Sequence, residues 1–563
     1  MNFQSQEFEY RRSRDQDAST PTSHPVVIVG AGPVGLTLAI DLAKRGIKVV
    51  VLDDDHKLSS GSRAICFAKR SLEIFDRIGI GQRCVDKGVS WNTGKVFLKD
   101  ELLYQFNLLP EEGHQRPAFI NLQQYYVEGF LNDQAGEETN IEVRWKNRVI
   151  GVENGSEAVM LTIDTPDGAY TIIADYVVAC DGSRSPMRNF IGQESKGQIF
   201  KDRFLIADVK MTAPFPTERW FWFDPPFHPN QSVLLHKQPD DVWRVDFQLG
   251  WDADPEEEKK PERVMPRIRA LLGKDADFTL EWVSVYTFAC MRMGKFRFDR
   301  VLFAGDSAHG VSPFGARGAN SGIQDADNLG WKLAAVIDKL ASESLLDSYC
   351  IEREYAADEN IRNSTRSTDF ITPKSAVSRL FRDAALELAK DHPFARRIVN
   401  SGRLSMPSTY FSSPLNTQVE DDFVGAMIPG APAVDAPVFV DGRVDWFLSL
   451  LPGDFVCVEF GAQAQVILYS TALTPTLSRA AGEGFINHSS AAREKAPDRA
   501  DEGGENPNNR TIISTQELLQ RYDAKPGTTY LFRPDQHVCA RWRTYDPHKV
   551  QQAIQTAIGK TNT

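Results

Sequence analysis

The chain has 563 residues, with 64 Lys and Arg against 76 Asp and Glu and a formal net charge of −12 at neutral pH. That length calls for two or three domains with a substantial core, and the acidic balance argues against a nucleic-acid partner, whose phosphates would repel it. No stretch approaches the roughly eighteen apolar residues of a membrane span, and no CxxC or His/Cys cluster suggests a metal.

Residues 1–24 are polar and charged, which reads as a flexible or loosely docked arm and not as a secretory signal. Val26 to Asp55 then reads as a buried strand, a glycine turn, an amphipathic helix and a second buried strand ending in acid. Gly30, Gly32 and Gly35 form GxGxxG between strand and helix. The first glycine allows the tight turn, the second lets the backbone approach a pyrophosphate, and the third lets the helix pack on the strand. The helix N-terminus faces the phosphates, and Asp53 stands where a carboxylate can bind a ribose hydroxyl. The strand–helix context makes this a dinucleotide site.

Residues 25–195 contain these strands, a helical segment, a hairpin-like stretch and the sequence VVACDGSRSPMR with Asp181. Between 196 and 295 the pattern changes to short aromatic or alternating runs, predicting an antiparallel sheet. Region 296–417 opens with a strand ending at Gly305-Asp306, followed by Pro313, Gly315 and Gly318 and then a helix from about Ala319. Such a glycine-rich helix start suits an anion or a reduced flavin. Long helical patterns follow. Region 418–563 returns to strands, interrupted at 471–510 by a Gly-, Ala-, Ser-, Glu- and Pro-rich segment that reads as a disordered insertion. Seven unpaired cysteines read as reduced core residues of a cytoplasmic protein.

The GxGxxG, the Asp181-Gly182 motif and GDSAH with P-x-G-x-x-G-x-N together resemble the three fingerprints of FAD-dependent aromatic hydroxylases of the para-hydroxybenzoate hydroxylase type. The resemblance covers about residues 25 to 400. It is strongest to 3-(3-hydroxyphenyl)propionate and phenol hydroxylase-type enzymes, through SRAICFAKRSLEIFDRIGI and VYTF. It implies an α/β fold in which a Rossmann-like FAD-binding domain is interleaved with an antiparallel-sheet substrate domain. A thioredoxin-like C-terminal domain would follow, without a redox role. It also implies NADH or NADPH as electron donor, dioxygen and a small phenolic arene as substrates, chemistry through a flavin C4a-hydroperoxide, and a monomer or homodimer.

Carried over position by position, the resemblance places Arg63 at the FAD pyrophosphate, and Gln123 or Gln124 against the FAD. Asp181, Asp306 and Pro313 fall among the FAD contacts, while Gly318, Ala319 and Asn320 line the flavin ring. Tyr286 is the candidate for polarising a substrate hydroxyl. Plainer readings stand beside these: a surface arginine, exposed helix glutamines, a turn aspartate and a structural strand tyrosine. His309 offers a candidate base, though the expected role is to cap the GDSAH motif at a helix start, and Asp325 is expected to face solvent.

One motif suggests another reaction. Trp220-Phe221-Trp222-Phe223-Asp224-Pro225 resembles the WxWxIP of flavin-dependent halogenases, with Asp224 in place of isoleucine. A halogenase and a non-catalytic flavin-binding protein are therefore the alternatives to a hydroxylase, and an aromatic core strand is the ordinary reading of the motif.

Overall fold

Four consecutive buried residues, Val26 to Val29, make the strand Thr22–Val29 a central one, flanked in parallel by Val49–Leu52 and Tyr170–Ala179. Ile141–Arg144 and Val301–Phe303 extend the parallel sheet on its two sides. The helix Pro33–Lys44 packs its apolar residues on this sheet, with proline at its first position, where no amide hydrogen bond is lost. The computed structural model describes residue 3 and residues 6–59, 61–213, 215–273, 275–399, 404, 406–471 and 511–560. Apart from Thr471, the insertion expected at 471–510 lies outside them. Among the described residues no helix is long and apolar enough to cross a membrane.

The chain divides into two compact units, one of Met1–Pro110, Arg116–Gly330 and Arg353–Pro407, the other of Glu111–Gln115, Trp331–Glu352 and Ser408–Thr563. The first contains the parallel sheet and a second, eight-stranded sheet. In spatial order the latter runs His309–Gly310, Thr279–Met293, Ser195–Lys210, Val242–Leu249, Ser232–Lys237, Arg219–Phe223, Thr93–Leu98 and Glu101–Asn107. The sheet expected within 196–295 thus recruits two strands from 93–107 and the short strand His309–Gly310 as well. Thr93–Leu98 pairs in parallel with Arg219–Phe223, and every other pair is antiparallel.

Among the described residues of the N-terminal arm, two aromatic side chains are docked. Phe3 is 2% exposed and packs edge-on against Tyr126 and Phe130, and Phe8 stacks on Trp145 at 4.2 Å. Polar composition hid these two anchors, each of which buries a large apolar area.

In the second unit a four-stranded antiparallel sheet orders Val466–Thr471, Phe455–Phe460, Thr529–Phe532 and Val538–Trp542. Residues 331–352 belong to this unit although the sequence reading assigns them to the FAD-binding region. Lys332 pairs with Glu352 at 2.7 Å, and Glu352 accepts from Arg533 at 2.5 and 3.0 Å, with all three side chains fully buried. Such a network holds only when every charge is matched.

Candidate active site

In a parallel sheet the strand ends share one edge, where helix N-termini and loops converge. Here that edge carries Asp53, the turn from Gly30 to Gly32, Asp181 and Gly305-Asp306, at the ends of four adjacent strands. Gly30 has φ +110°, and a Cβ there would strike the Cys180 carbonyl; a Cβ on Gly35 would strike the Gly30 carbonyl. Gly32 differs, because nothing lies within 4 Å of where its Cβ would be. That open space fronts the first turn of Pro33–Lys44, and a pyrophosphate fits there.

The carboxylates at this edge are partly engaged. Asp53 accepts from the Ala31 amide at 2.6 Å and the Asp55 amide at 2.8 Å, and burial still pushes its carboxyl up to about 6. Asp181 caps the short turn Pro186–Phe190, accepting from Ser185 Oγ at 2.8 Å and the Met187 amide at 3.0 Å. Its Oδ1 is buried without a partner among the described residues, and burial raises its pKa. Asp306 reaches solvent, yet protein crowds the recess around it enough to raise its pKa, against the pull of His309 and Arg63. Arg188, which the sequence reading passed over, ties the two loops by donating to the Ser307 carbonyl at 2.8 Å.

Arg63 is exposed, and its guanidinium has no hydrogen-bond or ion-pair partner among the described residues. The glutamines are not exposed helix residues. Gln124 accepts from the Ala64 amide at 3.0 Å and donates to Glu128 at 2.7 Å, so it fixes the segment that presents Arg63. Gln123 donates to the Pro239 carbonyl at 3.2 Å and leaves its Oε1 buried and unpartnered.

The helix Gly318–Ile337 begins beside these loops, with Gly318 and Ala319 half-buried and Pro313 exposed. The Asn320 amide is wholly engaged with protein. It accepts from the Ala68 amide and Ser71 Oγ and donates to the Cys66 and Ala316 carbonyls, all within 2.9 Å. Its side chain holds the helix start in place and has no group left to offer a ring.

Two expectations need correction here. Asp325 does not face solvent: it is fully buried and accepts from the Gly305 amide at 2.9 Å, His309 Nε2 at 2.7 Å and Arg353 Nε at 2.6 Å. Burial alone would raise its pKa, but His309 and Arg353 outweigh that and hold it below the ordinary range. His309 lies on a two-residue strand, not at a helix start, and its role is to share this carboxylate. Together they set the Gly305-Asp306 turn.

The second sheet presents two different faces. One packs Trp222, Val233, Leu235, Trp243, Val245 and Phe247 against Val264 and Ile268 of the helix Pro261–Leu272. Trp220 joins this core, 5.3 Å from Phe215. Both tryptophans of the WFWFDP run therefore point away from the opposite face. On that face one row across the strands reads His236, Arg244, Asp208, Trp282, and the next Phe221, Leu234, Asp246, Ile206, Ser284. Arg219 and Tyr286 share the face by alternation. Phe314, from the loop before the helix Gly318–Ile337, closes on it, packing edge-on against Phe204 at 4.8 Å.

This face concentrates unmatched polarity. Arg219 Nη1, His236 Nδ1, Asp246 Oδ1 and the Tyr286 hydroxyl are buried with no hydrogen-bond partner among the described residues. Burial pushes the Asp246 carboxyl up to about 6 against the pull of Arg244 and Arg219. His236 is held neutral by burial and by the same two arginines. Burial also raises the Tyr286 phenol. Arg244 is satisfied, bonding Asp208 at 2.8 Å and the Ser62 carbonyl. Such groups usually find a partner in native proteins, and their clustering on one face suits a polar ligand. The sequence signal was present in VWRVDFQLG, where Arg244, Asp246 and Gln248 alternate with apolar residues.

Residues 23–364 match the family model described as FAD binding domain. The chain belongs to this family. FAD is accordingly its cofactor, and the open cradle at Gly32 suits it. A 3-(3-hydroxy-phenyl)propionate/3-hydroxycinnamic acid hydroxylase of Mycolicibacterium smegmatis is 29% identical over 435 residues, 76% of this chain and 74% of that protein. A probable NADH-specific resorcinol 4-hydroxylase of Rhodococcus jostii is 32% identical over 336 residues, 58% of this chain and 62% of the relative. A flavin-dependent monooxygenase crystallised with FAD and substrate superposes with a TM-score of 0.75 at 19% identity, covering 96% of this chain and all of that one, and so shares the fold.

Proposed function

We propose that the protein is an FAD-dependent monooxygenase that inserts one oxygen atom from O2 into a phenolic ring, with NADH or NADPH as electron donor. The observation that carries this reading is the sheet face on which buried, unpartnered polar groups stand among Phe204, Phe221 and Phe314, beside the loop that opens the flavin helix. The named activities of the two curated relatives support it.

Bound FAD, once reduced, supplies the electrons that activate dioxygen. The chain does the rest. The Gly30–Gly32 turn and the first turn of Pro33–Lys44 would receive the pyrophosphate, Asp53 a ribose hydroxyl, and Arg63 further negative charge. Asp181 and Asp306 flank the recess, and Gly318 and Ala319 offer backbone to the ring edge. Phe204, Phe221 and Phe314 exclude water from the arene. The Tyr286 hydroxyl, otherwise without a partner, donates to or accepts from the substrate phenol. Seven free thiols suit a reducing compartment such as the cytoplasm.

The halogenase reading loses its motif, because Trp220 and Trp222 are core residues on the far face. A purely binding role is disfavoured by the hydroxylase and monooxygenase activities named for the curated relatives. The test is NAD(P)H oxidation by the FAD-loaded protein with a panel of phenols, with and without chloride, while product is followed. An accelerating phenol should yield hydroxylated product near one per NAD(P)H. Tyr286→Phe should retain FAD yet divert part of the consumed oxygen to hydrogen peroxide, with hydroxylation slowed about a hundredfold. Unchanged coupling in that variant would reduce Tyr286 to a structural residue. Chloride-dependent chlorination without any hydroxylated product would overturn the monooxygenase.

A further inference from the structure

We propose that the substrate's second polar substituent, the one remote from the reacting phenol, is a neutral hydroxyl held between Arg219 and Asp246, so that the arene is an uncharged diol and not a hydroxyaryl carboxylate. The inference rests on the monooxygenase reading and names the substrate class of the same site.

Two features of the sheet face lead there. The first is donor and acceptor balance. Arg219 Nη1 can only donate and an ionised Asp246 Oδ1 can only accept, and both are unpartnered. A carboxylate or nitro group would satisfy the arginine and leave the aspartate facing a second acceptor. A hydroxyl satisfies both at once, because it accepts and donates through one oxygen. His236, 3% exposed with Nδ1 unpartnered, stands on the strand between those of Arg219 and Asp246 and can serve the same oxygen.

The second feature is charge. Arg244 is neutralised by Asp208 at 2.8 Å, which leaves Arg219 opposed by Asp246 alone. His236 carries no charge beside the two arginines. Two cations and two anions thus balance on the sheet face itself, and Arg63, the further cation that acts on Tyr286, would be taken up by the FAD pyrophosphate, so a ligand carboxylate would meet no uncommitted positive charge. Burying a carboxylate without a matched cation is unfavourable by far more than burying a hydroxyl that is hydrogen-bonded. Between Asp246 and Tyr286 stand Ile206 and Phe204, buried apolar residues of the same face.

The experiment compares 1,3-dihydroxybenzene with 3-hydroxybenzoate and 3-(3-hydroxyphenyl)propionate on the FAD-loaded protein. Binding is read from the change in the flavin spectrum, and turnover from NAD(P)H oxidation and product. The diol should bind at least about tenfold more tightly than either acid and give the higher kcat/KM. Asp246→Asn, checked for full FAD content, should raise the diol's Kd about tenfold or more, the scale for losing a hydrogen bond to a charged group. The same variant should bind the two acids more tightly than wild type does, since it removes the opposing charge. That inversion is not expected of a merely structural residue. Preference of the wild-type protein for the acids, or equal loss for diol and acids in Asp246→Asn, would overturn the inference while leaving the monooxygenase in place. Failure of every arene to give hydroxylated product would instead sink the monooxygenase, and the diol's binding measured by the flavin spectrum would still decide the inference. Should Asp246→Asn lose FAD, the wild-type ranking alone decides it.

Discussion

Gly32→Val separates the cofactor cradle from the fold that bears it. Gly32 has φ −76° and ψ −178°, extended backbone that any residue adopts, and no atom lies within 4 Å of its missing Cβ. Valine is a poorer helix N-cap than glycine, a loss of about 1 kcal/mol at most, so the apoprotein should melt within ~3 °C of the parent. FAD is another matter. The new side chain fills the space in front of the unsatisfied amides of Val34 and Gly35, where the pyrophosphate would be received. Losing two hydrogen bonds to a charged group removes roughly 3–6 kcal/mol, about two to four decades of affinity. Flavin-to-protein absorbance ratios and a fluorescence titration of apoprotein with FAD measure this directly. Full FAD retention would refute the placement of the pyrophosphate. Collapse of the apoprotein would refute the claim that the position is open. Gly35→Val is the contrasting case, since its Cβ would strike the Gly30 carbonyl, and it should yield no folded protein.

Asp325→Ala leaves buried Arg353 and His309 and the Gly305 amide without their shared acceptor. Urea unfolding should show a loss of about 3–5 kcal/mol, with FAD affinity falling as the Gly305-Asp306 turn loosens. Trp220→Phe should leave turnover and product unchanged, because that side chain packs in the core behind the sheet; altered product distribution would contradict the face assignment. For Asp53 the folded carboxyl titrates near 6 against an ordinary 3.8. Its ionisation therefore opposes folding, and apoprotein stability should fall as pH rises from about 4 to about 6. Asp53→Asn should flatten that part of the curve in chemical unfolding at a series of pH values.

The parallel sheet and its glycine turn were legible because strand, turn and helix are local and each glycine has its own geometric reason. The second sheet was legible as a sheet, but alternation cannot say which of its two faces meets the cofactor domain. Trp220 and Trp222 consequently suggested a catalytic motif, while Arg219, on the other parity of the same strand, went unremarked. Asp325 was misplaced for a related reason. Its three donors come from Gly305, His309 and Arg353, up to 28 residues from Asp325 in sequence, and helical spacing says nothing about partners on other elements. Asn320 matched the expected segment, yet its amide proved to be tied to the Cys66–Ser71 segment some 250 residues away.

Because the two faces of the second sheet alternate along its central strands Arg219–Phe223, Ser232–Lys237 and Val242–Leu249, what stabilises the protein and what selects its substrate are encoded in interleaved letters of the same short sequences. In Val242–Leu249, Trp243, Val245 and Phe247 belong to the core, while Arg244, Asp246 and Gln248 project to the other side. Substrate range can therefore drift, or be redirected by directed evolution, through every second codon of these strands without touching the packing beneath. A library confined to positions 219, 246 and 284 should keep most of its members folded, whereas one placed at 222, 235, 245 and 247 should lose most of them.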